Sequence, residues 1–124
     1  MRELYHARLL DHAQHPRNKG ACPDATRVVH AANPSCGDTL ALFLTLLEGR
    51  IVHASFTGEG CAVSQAAASL LTEAIQGMEV HVAAGFTERD LYGLLGVEVG
   101  EARKRCALLA WGALVDALRD ERGV

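Results

Sequence analysis

No apolar run in this chain is long enough to cross a bilayer. The longest, Leu40 to Leu47, has eight residues and includes Thr45, where a spanning helix needs about 20. A basic excess is missing too: 12 Lys and Arg stand against 15 Asp and Glu, for a net charge of −3, and the pI is about 6.0. That balance lacks the global electrostatic footprint of a nucleic-acid binder. The N-terminus, Met1-Arg2-Glu3-Leu4-Tyr5-His6, has charge and histidine where a signal peptide needs an apolar core. Internal repeats, low-complexity tracts and linkers are also absent. These absences predict a cytoplasmic chain with no membrane or nucleic-acid partner. Its 124 residues are the size of one ordinary domain, expected to span 1–124. With 49% hydrophobic and 22% charged residues, extensive disorder is excluded.

The pattern that is present reads as α+β. Residues 2–13 predict a helix with Leu4, Leu9 and Leu10 on one side, stopped by Pro16. A loop rich in Pro, Asn and Gly follows to Pro23, with Arg17 and Lys19 as a small basic patch. Three strands are expected, at 27–32, 39–47 and 51–57, the last two joined by a tight hairpin turn at Glu48-Gly49-Arg50. Both faces of 39–47 are mostly apolar, which predicts a central, covered strand. The period then turns helical over 62–76, with Gly77 as a stop. A short helix is expected from Thr87 to Leu95, with Thr87 as its cap and Asp90 adding charge in the first turn. A last helix, about 101–119, places Leu108, Trp111, Val115 and Leu118 on one face, with Trp111 a core or partner-facing anchor.

Four cysteines carry the chemistry. Cys36 lies in the turn between the first two strands, Cys61 where the third strand gives way to a helix, and Cys106 early in the last helix. Positions at element ends, two of them beside glycines, suit a site better than core filling. A helix N-terminus at Cys61 and the cations Arg103, Lys104 and Arg105 beside Cys106 favour thiolates. Asp38 adds a carboxylate to the turn of Cys36. Three thiolates and one carboxylate are enough donors for a tetrahedral Zn²⁺ or an Fe–S centre. No C-x-x-C occurs, and the gaps are 25 residues from Cys36 to Cys61 and 45 from Cys61 to Cys106. Placement alone leaves two readings open, a shared metal or thiol site and unrelated cysteines.

The motifs Asn33-Pro34-Ser35-Cys36-Gly37-Asp38 and Gly58-Glu59-Gly60-Cys61-Ala62-Val63-Ser64-Gln65-Ala66, with Cys106 before an apolar helix, are specific in combination. Together with Leu10-Asp11-His12 and His15-Pro16-Arg17-Asn18-Lys19-Gly20, they resemble the U-type iron–sulfur cluster assembly proteins (IscU, SufU and the NifU N-terminal domain). The resemblance covers nearly the whole chain. It implies a three-stranded antiparallel sheet with helices packed on it, and a surface site of Cys36, Asp38, Cys61 and Cys106. It implies sulfur received from a cysteine desulfurase of the SufS or IscS kind, and apo-Fe–S proteins as acceptors.

Subtype marks are mixed. Arg105 stands where the IscU branch has a histidine, which excludes a histidine ligand there. Val99-Gly100-Glu101-Ala102-Arg103-Lys104 does not match that branch's Leu-Pro-Pro-Val-Lys chaperone motif, so dependence on an Hsp70-type chaperone is not expected. Gly60-Cys61-Ala62-Val63-Ser64 and Cys106-Ala107-Leu108-Leu109-Ala110-Trp111 look like the SufU branch, whose insertion between the second and third cysteines is missing here. Two functions follow. One is a scaffold holding iron or a nascent [2Fe–2S] cluster for transfer; the other is a zinc-dependent sulfurtransferase relaying persulfide sulfur. Cys36 and Cys106 are the candidate sulfur acceptors, and Arg105 a candidate stabiliser of a thiolate or persulfide. Cys22 is expected to be a bystander thiol. His6, His12 and His15 do not share one helical face and are expected to be surface residues rather than ligands.

Overall fold

A computed structural model describes residues 2–35 and 37–121. The elements run α1 (Arg2–Gln14), β1 (Arg27–Asn33), β2 (Asp38–Leu47), β3 (Arg50–Thr57), α2 (Ala62–Ile75), α3 (Val80–Ala84), α4 (Glu88–Leu95) and α5 (Glu101–Ala117), with a 3₁₀ turn at Arg119–Glu121. The sheet is antiparallel in the order β1-β2-β3, so β2 is central as its apolar faces predict. Glu48 (φ 51°) and Gly49 (φ 78°) join the β2–β3 pair Leu47↔Arg50. Two successive positive φ values make a type I′ turn, whose twist matches the strands it joins.

Helix α2 packs against α1, α4, α5 and β3, and every residue from Ser64 to Thr72 is buried. Its small side chains, Ala66, Ala67, Ala68 and Ser69, let neighbours approach from several directions. In α4 the expected Thr87 cap is present, its Oγ1 accepting from Asp90 N at 3.1 Å, and Asp90 adds the reciprocal half of a capping box, its Oδ2 accepting from Thr87 N at 2.9 Å.

One element is unexpected and three expectations need correction. Helix α3, between the expected helices, has no side-chain cap and is held by strand-like pairing of residues 77–80 with the β2–β3 hairpin (Gly77 N to Ile51 O, Val80 N to Gly49 O). Leu10 is exposed whereas Leu9 is buried, and the side chain of Leu4 lies outside the described residues. His12 is buried, not on the surface, with Nδ1 2.7 Å from Ser69 Oγ on α2. The core face of α5 is Cys106, Ala107, Ala110, Ala113, Leu114 and Ala117. Leu108, Trp111 and Val115 are only half-buried, because the small residues let α5 seat closer than the large ones could. Among the described residues no helix is long and apolar enough to cross a membrane.

Candidate metal centre

Backbone pairing brings the predicted residues together. Asn33 pairs with Asp38 at the β1–β2 end, and Gly37, at φ 75°, donates to the Asn33 carbonyl at 2.9 Å. Only a residue tolerant of left-handed backbone fits there. Cys36, within this turn, lies outside the described residues. One residue into β2, Thr39 exchanges two backbone hydrogen bonds with Glu59, at 2.8 and 3.1 Å. That ties the loop before α2 to the start of β2. The approach is closest at Gly58, where a Cβ would fall 2.1 Å from the Thr39 carbonyl oxygen.

Cys61 is the N-cap residue of α2. Its N–H donates to Asp38 Oδ1 at 3.3 Å, and its carbonyl accepts from Ser64 Oγ at 3.0 Å. Packing of α2 on α5 supplies Cys106, which is 2% exposed. One donor atom each from Asp38, Cys61 and Cys106 lie within 4.8 Å of one another. Donors around a tetrahedral ion with bonds near 2.3 Å are about 3.8 Å apart, so a modest contraction seats one. Two soft thiolates and a carboxylate suit zinc or iron, and no disulfide ties up these thiols.

Burial pushes the Cys61 thiol pKa up. The Ser64 and Val63 backbone N–H groups and a hydrogen bond with Cys106 outweigh that push, despite the opposing charge of Asp38, and the net direction is down. The direction is the one expected for a thiol at a helix N-terminus.

The remaining candidates are not part of this donor group. Arg105 is exposed and lines a groove between β1 and α5. Cys22 Sγ lies 3.9 Å from Thr45 Oγ1, and neither it nor His6, His12 or His15 belongs to a metal-ligand group among the described residues. Two contributors escaped the sequence reading, Ser64 and the absence of a side chain at Gly60, where a Cβ would fall 2.8 Å from Asp38 Oδ1. Their signal is the spacing Gly-Cys-x-x-Ser, which sets a hydroxyl at the third helical position.

The model of the NifU-like N terminal domain matches residues 4–123. The zinc-dependent sulfurtransferase SufU of Bacillus subtilis (strain 168) is 37% identical, over 97% of this chain and 92% of its own. The iron–sulfur cluster assembly scaffold protein IscU of Thermotoga maritima is 31% identical, over 94% and 93%. The crystal structure of a nitrogen-fixing NifU-like protein (N-terminal) from Brucella abortus superposes with a TM-score of 0.75 at 21% identity, covering 98% of this chain and 97% of that one, and shares the fold. With a match from residue 4 to residue 123 and relatives aligned along nearly their whole lengths, this chain belongs to the NifU-like N-terminal domain family.

Proposed function

We propose that this chain, as one domain over 1–124, is an iron–sulfur cluster assembly scaffold. It receives sulfur from a cysteine desulfurase, holds iron or a nascent [2Fe–2S] cluster on Cys36, Asp38, Cys61 and Cys106, and passes it to apo-proteins in the cytoplasm. The observation that carries this reading is the meeting of Asp38, Cys61 and Cys106 within 4.8 Å, in a chain whose relatives include named scaffolds. Asp38 is a hard donor among soft ones and makes a weaker bond to the cargo, which suits temporary tenancy. Zinc, when bound, would hold the thiolates deprotonated and in order. Cys36 and Cys106 are the proposed sulfur acceptors, and Arg105 the neighbour that steadies a thiolate or persulfide. With Cys106 buried, attack on a partner's persulfide through it requires the N-terminal turns of α5 to move.

A second reading, zinc-dependent sulfur relay, is favoured by the 37% identity to the Bacillus sulfurtransferase. An anaerobic visible spectrum of the metal-analysed protein separates the two. It is recorded before and after Fe²⁺, cysteine and a catalytic desulfurase are added. A thiolate–iron chromophore that survives desalting and moves to an apo-ferredoxin establishes the scaffold. A colourless protein that keeps zinc and speeds the desulfurase refutes it in favour of the relay.

A further inference from the structure

The groove beside α5 is built like a strand-binding site. It has a volume of about 570 Å³ and is lined by four consecutive residues of β1, 30–33, and by one flank of α5. Successive side chains of a strand point to opposite faces, so a groove touching four in a row runs along the strand's edge. β1 is an edge strand, and exposed strand edges pair readily with another chain.

The helical wall is apolar where a surface helix is ordinarily polar. The core face of α5 is centred on Cys106, Ala110, Ala113 and Ala117, and Leu108 lies about 200° around the helix from Cys106. Leu108, Trp111 and Val115 thus form a second apolar face, half-buried and in the groove. A helix apolar on two faces calls for cover on both. Trp111 is a fixed wall, its Nε1 donating to the Phe86 carbonyl at 2.8 Å. Gly112 keeps the floor open, since a Cβ there would meet nothing within 4 Å.

Charge gives the groove direction. Arg27, at the start of β1, donates to the carbonyl of Ala117 at 2.6 Å, so β1 and α5 run antiparallel. Arg105 therefore stands at the Asn33 end, beside the metal centre, while Asp116 at the other end is already paired with Arg119, which leaves Arg105 as the charge that orients a ligand. Eleven residues of helix span about 16 Å, the length of about five residues of extended chain.

We propose that this groove binds an extended segment of a protein partner, added as a strand to the free edge of β1. The segment's apolar side chains pack on Leu108, Trp111 and Val115, and its carboxylate meets Arg105. The docking rests on the groove alone; that the partner exchanges cargo at the centre rests on the proposed function. A chain that binds the peptide but no metal would refute only the latter.

The test uses a capped seven-residue peptide of alternating valine and threonine, with aspartate at one end, made in both chain directions. Trp111 is the sole tryptophan, so its fluorescence reads occupancy directly. The expected result is a saturable change with one direction of peptide, and at least about tenfold slower amide exchange at residues 30–33. Gly112→Phe should abolish binding with the circular dichroism spectrum unchanged. Arg105→Glu should weaken binding about tenfold, an attraction turned into a repulsion. No saturable change with either peptide to millimolar concentration, or binding unaltered in both variants, would overturn the proposal.

Discussion

Gly60→Ala tests the centre without touching a ligand. A Cβ there would lie 2.3 Å from Ser64 Oγ, 2.8 Å from Asp38 Oδ1 and 3.0 Å from Asp38 Cγ. Gly60 is not among the residues with positive φ, so alanine suits the backbone and the whole effect is steric. Ser64 can turn aside by giving up its 3.0 Å bond to the Cys61 carbonyl. Asp38, 3% exposed, must shift within packed surroundings. A retreat of about 0.5 Å would lengthen its contact with Cys61 N, now 3.3 Å, to about 3.8 Å, beyond hydrogen-bonding range. Losing one bond to a charged group costs about 1.5–3 kcal/mol, or about 10- to 150-fold in metal affinity if the carboxylate is a ligand. Zinc competition against a chromophoric chelator measures this, with thermal melts of the metal-free protein alongside. Gly112→Ala is the control: its Cβ meets nothing within 4 Å, and a helical alanine should stabilise by about 0.5–1 kcal/mol and leave zinc binding unchanged. If Gly60→Ala bound zinc as tightly as the parent, Asp38 would be no ligand.

Three further outcomes are expected. Cys22→Ser should leave zinc stoichiometry and affinity unchanged, since its sulfur sits by Thr45 rather than at the centre; metal loss in that variant would overturn the ligand set. Thr87→Ala removes half of the α4 capping box and should lower urea-unfolding stability by about 1 kcal/mol, whereas no change would show that packing of Leu91 and Leu95 holds α4 unaided. Burial and the nearby Arg17 and Arg8 charges hold the His12 pKa below its usual 6.5, with Glu73 and Asp11 opposing. The unfolded chain therefore takes up that proton first, and stability falls as pH drops from about 6.5 towards the folded value, then levels. His12→Gln should lose less stability than the parent between pH 7.5 and 5.0, and equal losses would refute a neutral, buried His12.

Local signals were legible because local physics produces them. The tight turn at Glu48-Gly49-Arg50, the Thr87 cap and the central β2 each follow from a few adjacent residues. So does the position of Cys61 at a helix N-terminus, where backbone N–H groups favour the thiolate. Helix α3 was not legible, because its anchor is the distant hairpin at Gly49 and Ile51. His12 misled for a similar reason: nothing near it in the chain announces that Ser69 will meet it.

The misread face of α5 accounts for the most. The larger apolar residues, Leu108, Trp111 and Val115, suggest the buried side by size. Proximity instead favours the small ones, for a helix lined by Ala107, Ala110, Ala113 and Ala117 can seat closer against α2 and the sheet than one lined by Leu and Trp. That choice has two consequences at once. It carries Cys106, on the same face as the alanines, within reach of Cys61 and Asp38. It also turns the larger side chains outward beside the open edge of β1, where they line the groove. Replacing an alanine of that face by leucine should thus perturb both features together: the metal donors would separate as α5 is pushed outward, and the groove would change shape even though no residue lining it was altered.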